Sequence, residues 1–116
     1  MDRILAFFEQ RLTALTAAGI ASERLILDPG MGFFLGTDPQ TSLTVLGRLP
    51  ELTDAFGLPL LICVSRKSFL AALPGKRDDA GVAAELFAAT QGAAYIRTHD
   101  VAVLHDAIRI TAAVRA

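Results

Sequence analysis

The sequence predicts an α/β protein with a parallel sheet, in which one helix precedes three strand–helix units. Three apolar, strand-like runs that end abruptly in charged or hydroxyl residues are the first observation: residues 25–27, 60–64 and 93–96. The second observation is helical spacing of apolar residues between those runs, because parallel strands need crossover helices. Continuous apolar strands of this kind are typical of a sheet that is covered on both faces.

The amino end predicts a helix followed by a short strand. Apolar residues recur at helical spacing over residues 2–18, with Asp2 as the expected N-cap and Gly19 as the stop. A strand over residues 24–28 follows, and a glycine-rich loop leaves it. The first strand therefore ends at Asp28.

The middle of the chain predicts an interrupted helix and the second strand. Asp38 and Pro39 open the helix as cap and first-turn proline. Pro50 is expected to break it into two pieces, and Gly57 to end the second piece. The strand over residues 59–64 comes next.

The last third predicts a short helix, a longer helix, a strand and a final helix. The short helix ends near Pro74, the longer one covers residues 79–91, and the strand over residues 93–97 feeds a helix with an apolar stripe that begins at Leu104. The residues of the longer helix expected to pack inward are Val82, Ala83, Leu86, Phe87 and Thr90.

Chain length limits the architecture. A (β/α)8 barrel needs ~250 residues, and this chain has 116. The chain also opens on a helix with no strand before it. We therefore expect residues 1–116 to form a single partial domain, namely the carboxyl-terminal part of a larger barrel, with about three βα units and a preceding helix.

Composition excludes several classes of protein. A net charge of −1 provides no basic field for nucleic acid. No apolar run reaches membrane-spanning length, and one cysteine excludes a disulfide framework, so Cys63 is expected to be a small buried hydrophobe. The composition favours a cytoplasmic location by default.

The polar strand endings predict one functional rim. Unpaired polar groups are costly to bury, and the carboxyl ends of parallel strands converge on the ligand sites of α/β proteins. Asp28, residues 65–68 and residues 97–100 should therefore meet at an active site. No spacing of ligand residues indicates a metal site within the chain.

Three motifs carry a family resemblance. Residues 28–33 read Asp-Pro-Gly-Met-Gly-Phe, residues 65–69 read Ser-Arg-Lys-Ser-Phe, and residues 97–101 read Arg-Thr-His-Asp-Val. In this order and spacing they resemble dihydropteroate synthase, of the pterin-binding TIM-barrel family. The resemblance implies a transferase of folate biosynthesis that joins 6-hydroxymethyl-7,8-dihydropterin diphosphate to para-aminobenzoate and releases pyrophosphate.

The resemblance also implies residue roles. Asp28 would accept hydrogen bonds from the pterin, and Lys67 would donate to the pterin carbonyl and ring nitrogen. Ser68 would hold the para-aminobenzoate carboxylate, while Arg97 and His99 would face the leaving pyrophosphate, with Arg97 also stacking on the pterin. The implied catalytic residues are Lys67, Arg97 and His99, and the implied substrate-binding residues are Asp28, Gly32, Phe33, Lys67, Ser68, Arg97 and His99.

Further expectations follow from the family. The complete enzyme would use Mg²⁺, with its protein ligand outside this segment, and would be a homo-oligomer. Phe34 and Leu35 replace the family's usual Gly-Lys, and Phe34 is expected in the core. Arg66 is expected to hold a salt bridge at the rim, and Asp100 to cap the last helix. The chain alone is expected to be inactive.

Alternatives remain open at this point. Asp28 could close an Asx turn, Lys67 could be a solvated side chain, and Ser65 is equally well interpreted as an N-cap. At the level of function, the chain could be a non-catalytic half-barrel for folding or dimerisation. It could also belong to the related methyltetrahydrofolate-binding methyltransferases, although the motifs at residues 65–68 and 97–99 argue against that.

Overall fold

The computed structural model describes all 116 residues and contains five α-helices around a short parallel sheet. The helices are α1 (Asp2–Ala17), α2 (Pro39–Gly47), α3 (Leu49–Phe56), α4 (Arg77–Thr90) and α5 (Val101–Arg115). The strands are β1 (Leu61–Ile62) and β2 (Tyr95–Ile96), and 3-10 turns cover Ser22–Arg24, Gly32–Leu35 and Ser68–Ala72.

The sheet has the predicted parallel arrangement. β1 pairs with β2 in the register Leu61 to Tyr95 and Ile62 to Ile96. A parallel bridge joins Leu27 to Leu60 on the other side of β1. The predicted first strand is reduced to that single bridge, because a segment paired on one side only gains few ladder hydrogen bonds.

Packing places the second strand at the centre of the molecule. Leu60, Ile62 and Val64 are completely buried. Alternate residues of the segment 60–64, which contains β1, thus point into one core. Helices α2, α3 and α4 cover that core. The other buried hydrophobic residues of that core are Phe8, Leu27, Met31, Val45, Leu46, Leu49, Leu52, Phe69, Leu70, Ala80, Ala84 and Ala88. Cys63 is only half-buried, so its predicted full burial was wrong.

The interrupted helix is confirmed, with one correction. Asp38 caps α2 by accepting a hydrogen bond from the Gln40 backbone N–H at 3.0 Å. The interruption falls at Arg48, whereas Pro50 lies within the first turn of α3. A proline there loses no helical hydrogen bond, since first-turn N–H groups have no intrahelical partner. Gly57, in the left-handed region at φ 62°, ends α3 as predicted.

Helix α1 has almost the predicted bounds, with a different cap. Met1 occupies the N-cap position, and Asp2 lies in the first turn without a side-chain capping bond. An acidic residue in the first turn still faces the positive end of the helix dipole. The expectation that Asp2 is the N-cap was therefore wrong.

Helix α4 buries a different face from the predicted one. Ala83 is exposed and Phe87 is 41% exposed. The buried residues are Ala80, Gly81, Ala84, Glu85 and Ala88. Small residues let the helix approach the core closely: a Cβ atom at Gly81 would lie 3.7 Å from Leu70 Cδ1. This rotation carries Glu85 into the interior.

The molecule is flat, with dimensions of 44 × 36 × 21 Å. Apolar side chains remain exposed next to the outer strand positions: Ile26 is 50% exposed and Tyr95 is 52% exposed. No helix combines the length and apolar character needed to cross a membrane.

Candidate functional site

Ser65 links the ends of the second and third strands. Its Oγ accepts a hydrogen bond from the His99 backbone N–H at 3.2 Å and lies 2.9 Å from His99 Nδ1. The residue at the N-cap position of the following 3-10 turn is Lys67, without a side-chain capping bond. The N-cap interpretation of Ser65 was therefore wrong, and its hydroxyl instead joins two loops of the rim.

Lys67 links the second strand end to the first loop. A Cβ atom at Gly32 would lie 3.6 Å from Cβ and Cδ of Lys67. The Lys67 ammonium lies 5.4 Å from the centroid of the Phe34 ring, within cation–π range. The aliphatic stem thus lies beside the first loop while the charged end stays at the rim.

The glycine loop is held by a serine that sequence reasoning missed. Gly32 donates its backbone N–H to Ser42 Oγ at 2.8 Å, and Ser42 is 1% exposed. Gly32 also has φ 67°, a conformation that glycine adopts without a steric penalty. The only sequence signal for Ser42 was a polar residue within the apolar stripe of α2.

Asp28 forms the Asx turn that was left open as an alternative. Its Oδ1 accepts a hydrogen bond from the Gly30 backbone N–H at 2.9 Å, and the side chain is exposed. A carboxylate offers about four lone-pair sites, so this bond leaves acceptor capacity on the other oxygen. The turn fixes the carboxylate at the strand end without excluding a ligand.

One cavity covers only a part of the predicted site. It has a volume of about 740 Å³ and lies between α1, α2 and the first rim loop. Asp28 lines it, whereas Lys67, Ser68, Arg97 and His99 do not. Ser68, Arg97 and His99 are exposed, whereas Lys67 is half-buried.

The sheet and a helix cap fix the third strand end. Arg97 donates its backbone N–H to the carbonyl of Ile62 at 3.0 Å, and its side chain is exposed. Asp100 caps α5 as predicted, because its Oδ1 accepts a hydrogen bond from the Val103 N–H at 3.1 Å. Arg97 and His99 are thereby presented outward between two anchored points.

Two expectations at the rim are corrected. Phe34 is 78% exposed rather than in the core, because the tight turn over Gly32–Leu35 directs it outward. Arg66 forms no salt bridge; it adopts φ 58°, and its carbonyl accepts a hydrogen bond from Arg77 Nη2 at 2.5 Å. Phe33 is 83% exposed and is accessible for contact with a ligand.

Glu85 is a buried carboxyl group behind the rim that sequence reasoning missed. It is 1% exposed, and its Oε1 has no hydrogen-bond partner. Burial raises the pKa of Glu85, while the neighbouring hydroxyls of Thr98 and Ser65 partly offset that rise. The available signal was one acidic residue on the same helix face as Ala84 and Ala88, among small apolar residues.

The residues present do not form a site for a resident metal ion. No group of three or more His, Cys, Asp or Glu side chains lies close enough together to hold one. The candidate site therefore consists of a carboxylate, cationic side chains and hydroxyl groups.

Comparison with known proteins identifies close relatives. The chain is 56% identical over 119 residues to dihydropteroate synthase type-2 of Escherichia coli, covering 99% of this chain and 44% of that relative. It is 55% identical over 112 residues to dihydropteroate synthase type-1 of Pseudomonas aeruginosa, covering 93% and 40%. The chain thus spans under half the length of these curated relatives.

Solved structures show the same fold. The dihydropteroate synthase of Stenotrophomonas maltophilia superposes with a TM-score of 0.89 at 38% identity, covering 99% of this chain and 44% of that one. The Xanthomonas albilineans enzyme in complex with 7,8-dihydropteroate gives the same TM-score and identity, with coverage of 99% and 45%. The fold is therefore part of a (β/α)8 barrel. The family profile described as pterin binding enzyme matches residues 1–99, and the chain belongs to this family of pterin-binding enzymes.

Proposed function

We propose that this chain is the carboxyl-terminal portion of a dihydropteroate synthase. The complete enzyme would condense 6-hydroxymethyl-7,8-dihydropterin diphosphate with para-aminobenzoate. The observation that carries the proposal is the convergence of three strand ends, through the Ser65–His99 and Lys67–Phe34 contacts. Sequence identity of 56% to a named dihydropteroate synthase supports it.

Asp28 and Lys67 would recognise the pterin. The pterin carries a 2-amino group beside a ring N–H, and a carboxylate can accept from both. The Asp28 carboxylate is held in position by its bond to Gly30 and retains acceptor capacity. Lys67 would donate to the pterin carbonyl and ring nitrogen, while Gly32 and Phe34 support its stem and ammonium.

Arg97 and His99 would stabilise the leaving group. The aniline nitrogen attacks the pterin methylene carbon, and the carbon–oxygen bond breaks with its electron pair going to the diphosphate. Fixed cations and donors next to that oxygen lower the energy of the developing charge. The aniline is unprotonated near neutral pH, so its extra proton is lost to water after the new carbon–nitrogen bond forms.

The second substrate would lie on the remaining rim residues. Ser68 and Phe33 are exposed next to Lys67 and Gly32 in the chain. The Ser68 hydroxyl would donate to the para-aminobenzoate carboxylate, and the Phe33 ring would pack on its aromatic ring. A solved structure of the Xanthomonas albilineans dihydropteroate synthase contains 4-aminobenzoic acid.

Three wider expectations belong to the complete protein. We propose a cytoplasmic, homo-oligomeric enzyme that uses Mg²⁺, with protein ligands for the metal outside this chain. The residues described above do not form a metal site.

The test is reconstitution of a complete barrel. We expect no dihydropteroate from the 116-residue chain alone, and measurable turnover when the barrel units that this chain lacks are supplied from the type-2 relative. The Lys67→Ala chain under the same conditions is the control. Turnover by the purified chain alone would contradict the partial-site proposal, and absence of turnover and of pterin binding after reconstitution would favour a non-catalytic half-barrel.

A further inference from the structure

We infer that Glu85 is a positioning residue that acts through the Ser65 hydroxyl to hold the His99 imidazole with its proton on Nδ1. The consequence for the leaving diphosphate rests on the proposed function. The position of the proton on the His99 ring does not depend on the proposed function, and it is tested separately.

Three elements bring these groups together. Glu85 lies on α4 and is 1% exposed, Ser65 follows β1, and His99 follows β2. Ser65 Oγ lies 2.9 Å from His99 Nδ1. The hydroxyls of Thr98 and Ser65 interact with the Glu85 carboxyl group and lower its pKa, although neither forms a hydrogen bond with it in this structure. The buried Glu85 carboxyl group, whose Oε1 has no hydrogen-bond partner, therefore lies beside the Ser65 hydroxyl of this pair.

The hydrogen-bonding capacity of Ser65 decides where the protons lie. A serine hydroxyl has one proton to donate and two acceptor sites. One acceptor site receives the backbone N–H of His99 at 3.2 Å. The single hydroxyl proton can go either to His99 Nδ1 or to the carboxylate.

An ionised carboxylate is the stronger acceptor. Charge-assisted hydrogen bonds are roughly twice as strong as neutral ones. At a pH above the raised Glu85 pKa, where the carboxylate is ionised, Ser65 therefore turns its hydroxyl to donate to Glu85, and its second acceptor site accepts a hydrogen bond from the His99 Nδ1–H. This arrangement uses every donor and acceptor of the hydroxyl and partners the buried carboxylate.

The protonation of Nδ1 determines what the other ring nitrogen can do. Nε2 is then the nitrogen with a free lone pair, so proton uptake there converts His99 into a cation with two N–H donors. The charged or titratable groups that face Glu85 are His99, whose charge lowers the Glu85 pKa, and Asp100, whose charge raises it. A cationic His99 beside a diphosphate is the form that stabilises the leaving group.

The experiment is ¹⁵N NMR of the imidazole rings in the full chain at a pH above the Glu85 titration. The chain has two histidines, and His105→Gln assigns their signals. We expect the neutral His99 ring to be mainly in the Nδ1–H form in the wild type, and to shift toward Nε2–H by at least about twofold in the tautomer ratio in Glu85→Gln. Glu9→Gln makes the same chemical change on the exposed face of α1 and should leave the ratio unchanged.

A second variant tests the relay without altering Glu85. In Ser65→Ala we expect His99 to lose its Nδ1–H preference, and the ¹³C titration of the Glu85 carboxyl to move to higher pH because a donor to the carboxylate is gone. This readout holds even if Glu85→Gln does not fold. An unchanged tautomer ratio in either folded variant, or a wild-type ring that is mainly Nε2–H, overturns the inference.

Discussion

The stem and the charged end of the Lys67 side chain both lie against the first loop. Its stem lies beside Gly32, and its ammonium lies 5.4 Å from the Phe34 ring centroid. Both contacts come from the loop that follows Asp28, so Lys67 connects the carboxylate and cationic parts of the rim. A position fixed on two sides loses little side-chain entropy when a ligand binds.

Lys67→Ala should weaken pterin binding in the reconstituted barrel. Removing this charged donor would leave the pterin acceptors unpaired, at a cost of about 1.5–3 kcal/mol, or roughly 10- to 150-fold in affinity. Isothermal titration with a non-hydrolysable pterin measures this. Lys76→Ala, an exposed lysine before α4, is the control. Wild-type affinity in Lys67→Ala would remove Lys67 from the pterin site.

Arg97→Ala should reduce turnover more than substrate affinity. Its guanidinium would stabilise charge that develops only in the transition state, so we expect kcat to fall about 100-fold, with the KM for para-aminobenzoate changing far less. Steady-state kinetics of the reconstituted barrel measure both. Arg109→Ala on the exposed face of α5 is the control. A change confined to the KM for para-aminobenzoate would show that Arg97 acts on the other substrate.

At the scale of the element, α4 determines what lies behind the rim. Its alanines, Ala80, Ala84 and Ala88, form the face that packs against the core. This close approach buries Glu85 beside Ser65 and Thr98. A helix with larger residues on that face would stand farther from the sheet, and its carboxyl group would remain hydrated.

Burial of Glu85 should make stability depend on pH. Its folded-state pKa is raised above the ordinary value of 4.5. A raised carboxyl pKa contributes stability that is fully present below the unfolded pKa and is lost as pH rises through the folded pKa. Relative to Glu85→Gln, the wild-type free energy of unfolding should therefore decline as pH rises from the unfolded-state pKa of Glu85 to its folded-state pKa. Urea unfolding at several pH values measures this difference.

The exposed Glu9→Gln variant provides the reference for that measurement. It should keep the wild-type pH profile, since Glu9 lies on the solvent side of α1. Parallel profiles for wild type and Glu85→Gln would mean that Glu85 stays hydrated in the folded chain. The sign of the effect is also diagnostic, because a salt-bridged carboxylate would give stability that increases with pH.

At the scale of the whole molecule, the sheet has two open sides. Leu27 and β2 each pair with the central strand only, and the neighbouring Ile26 and Tyr95 side chains are half-exposed. Unpaired edges with apolar side chains favour association with another strand. In a complete barrel, the remaining βα units would cover these positions.

The isolated chain should therefore self-associate. Sedimentation velocity over a dilution series of about 100-fold should show a concentration-dependent oligomer, since mass action controls association. Tyr95→Lys adds a charge next to one edge and should shift the distribution toward monomer, whereas an exposed substitution on α5, Arg109→Lys, should not. A stable folded monomer at every concentration would show that the chain covers its own edges.

Local sequence signals were sufficient to predict several helix ends and the parallel sheet of this protein. Asp38, Gly57 and Asp100 act where the sequence placed them, because capping and left-handed positions depend on residues close in the chain. The three apolar runs gave the parallel sheet, and the motifs after them carried the family resemblance, which the comparison confirmed. The exact break before α3 was missed, since proline is accommodated equally well in a first turn.

Tertiary structure decided the features that depend on distant residues. Which face of α4 is buried, and hence the position of Glu85, follows from how closely alanines allow two elements to approach. The Ser65–His99 bond joins residues 34 positions apart, and the Ser42–Gly32 bond requires α2 to pack on the first loop. Sequence alone determined which groups stand at the strand ends; packing decided which of them touch, because hydrogen bonds between loops form only after the core has fixed the distances between the strands.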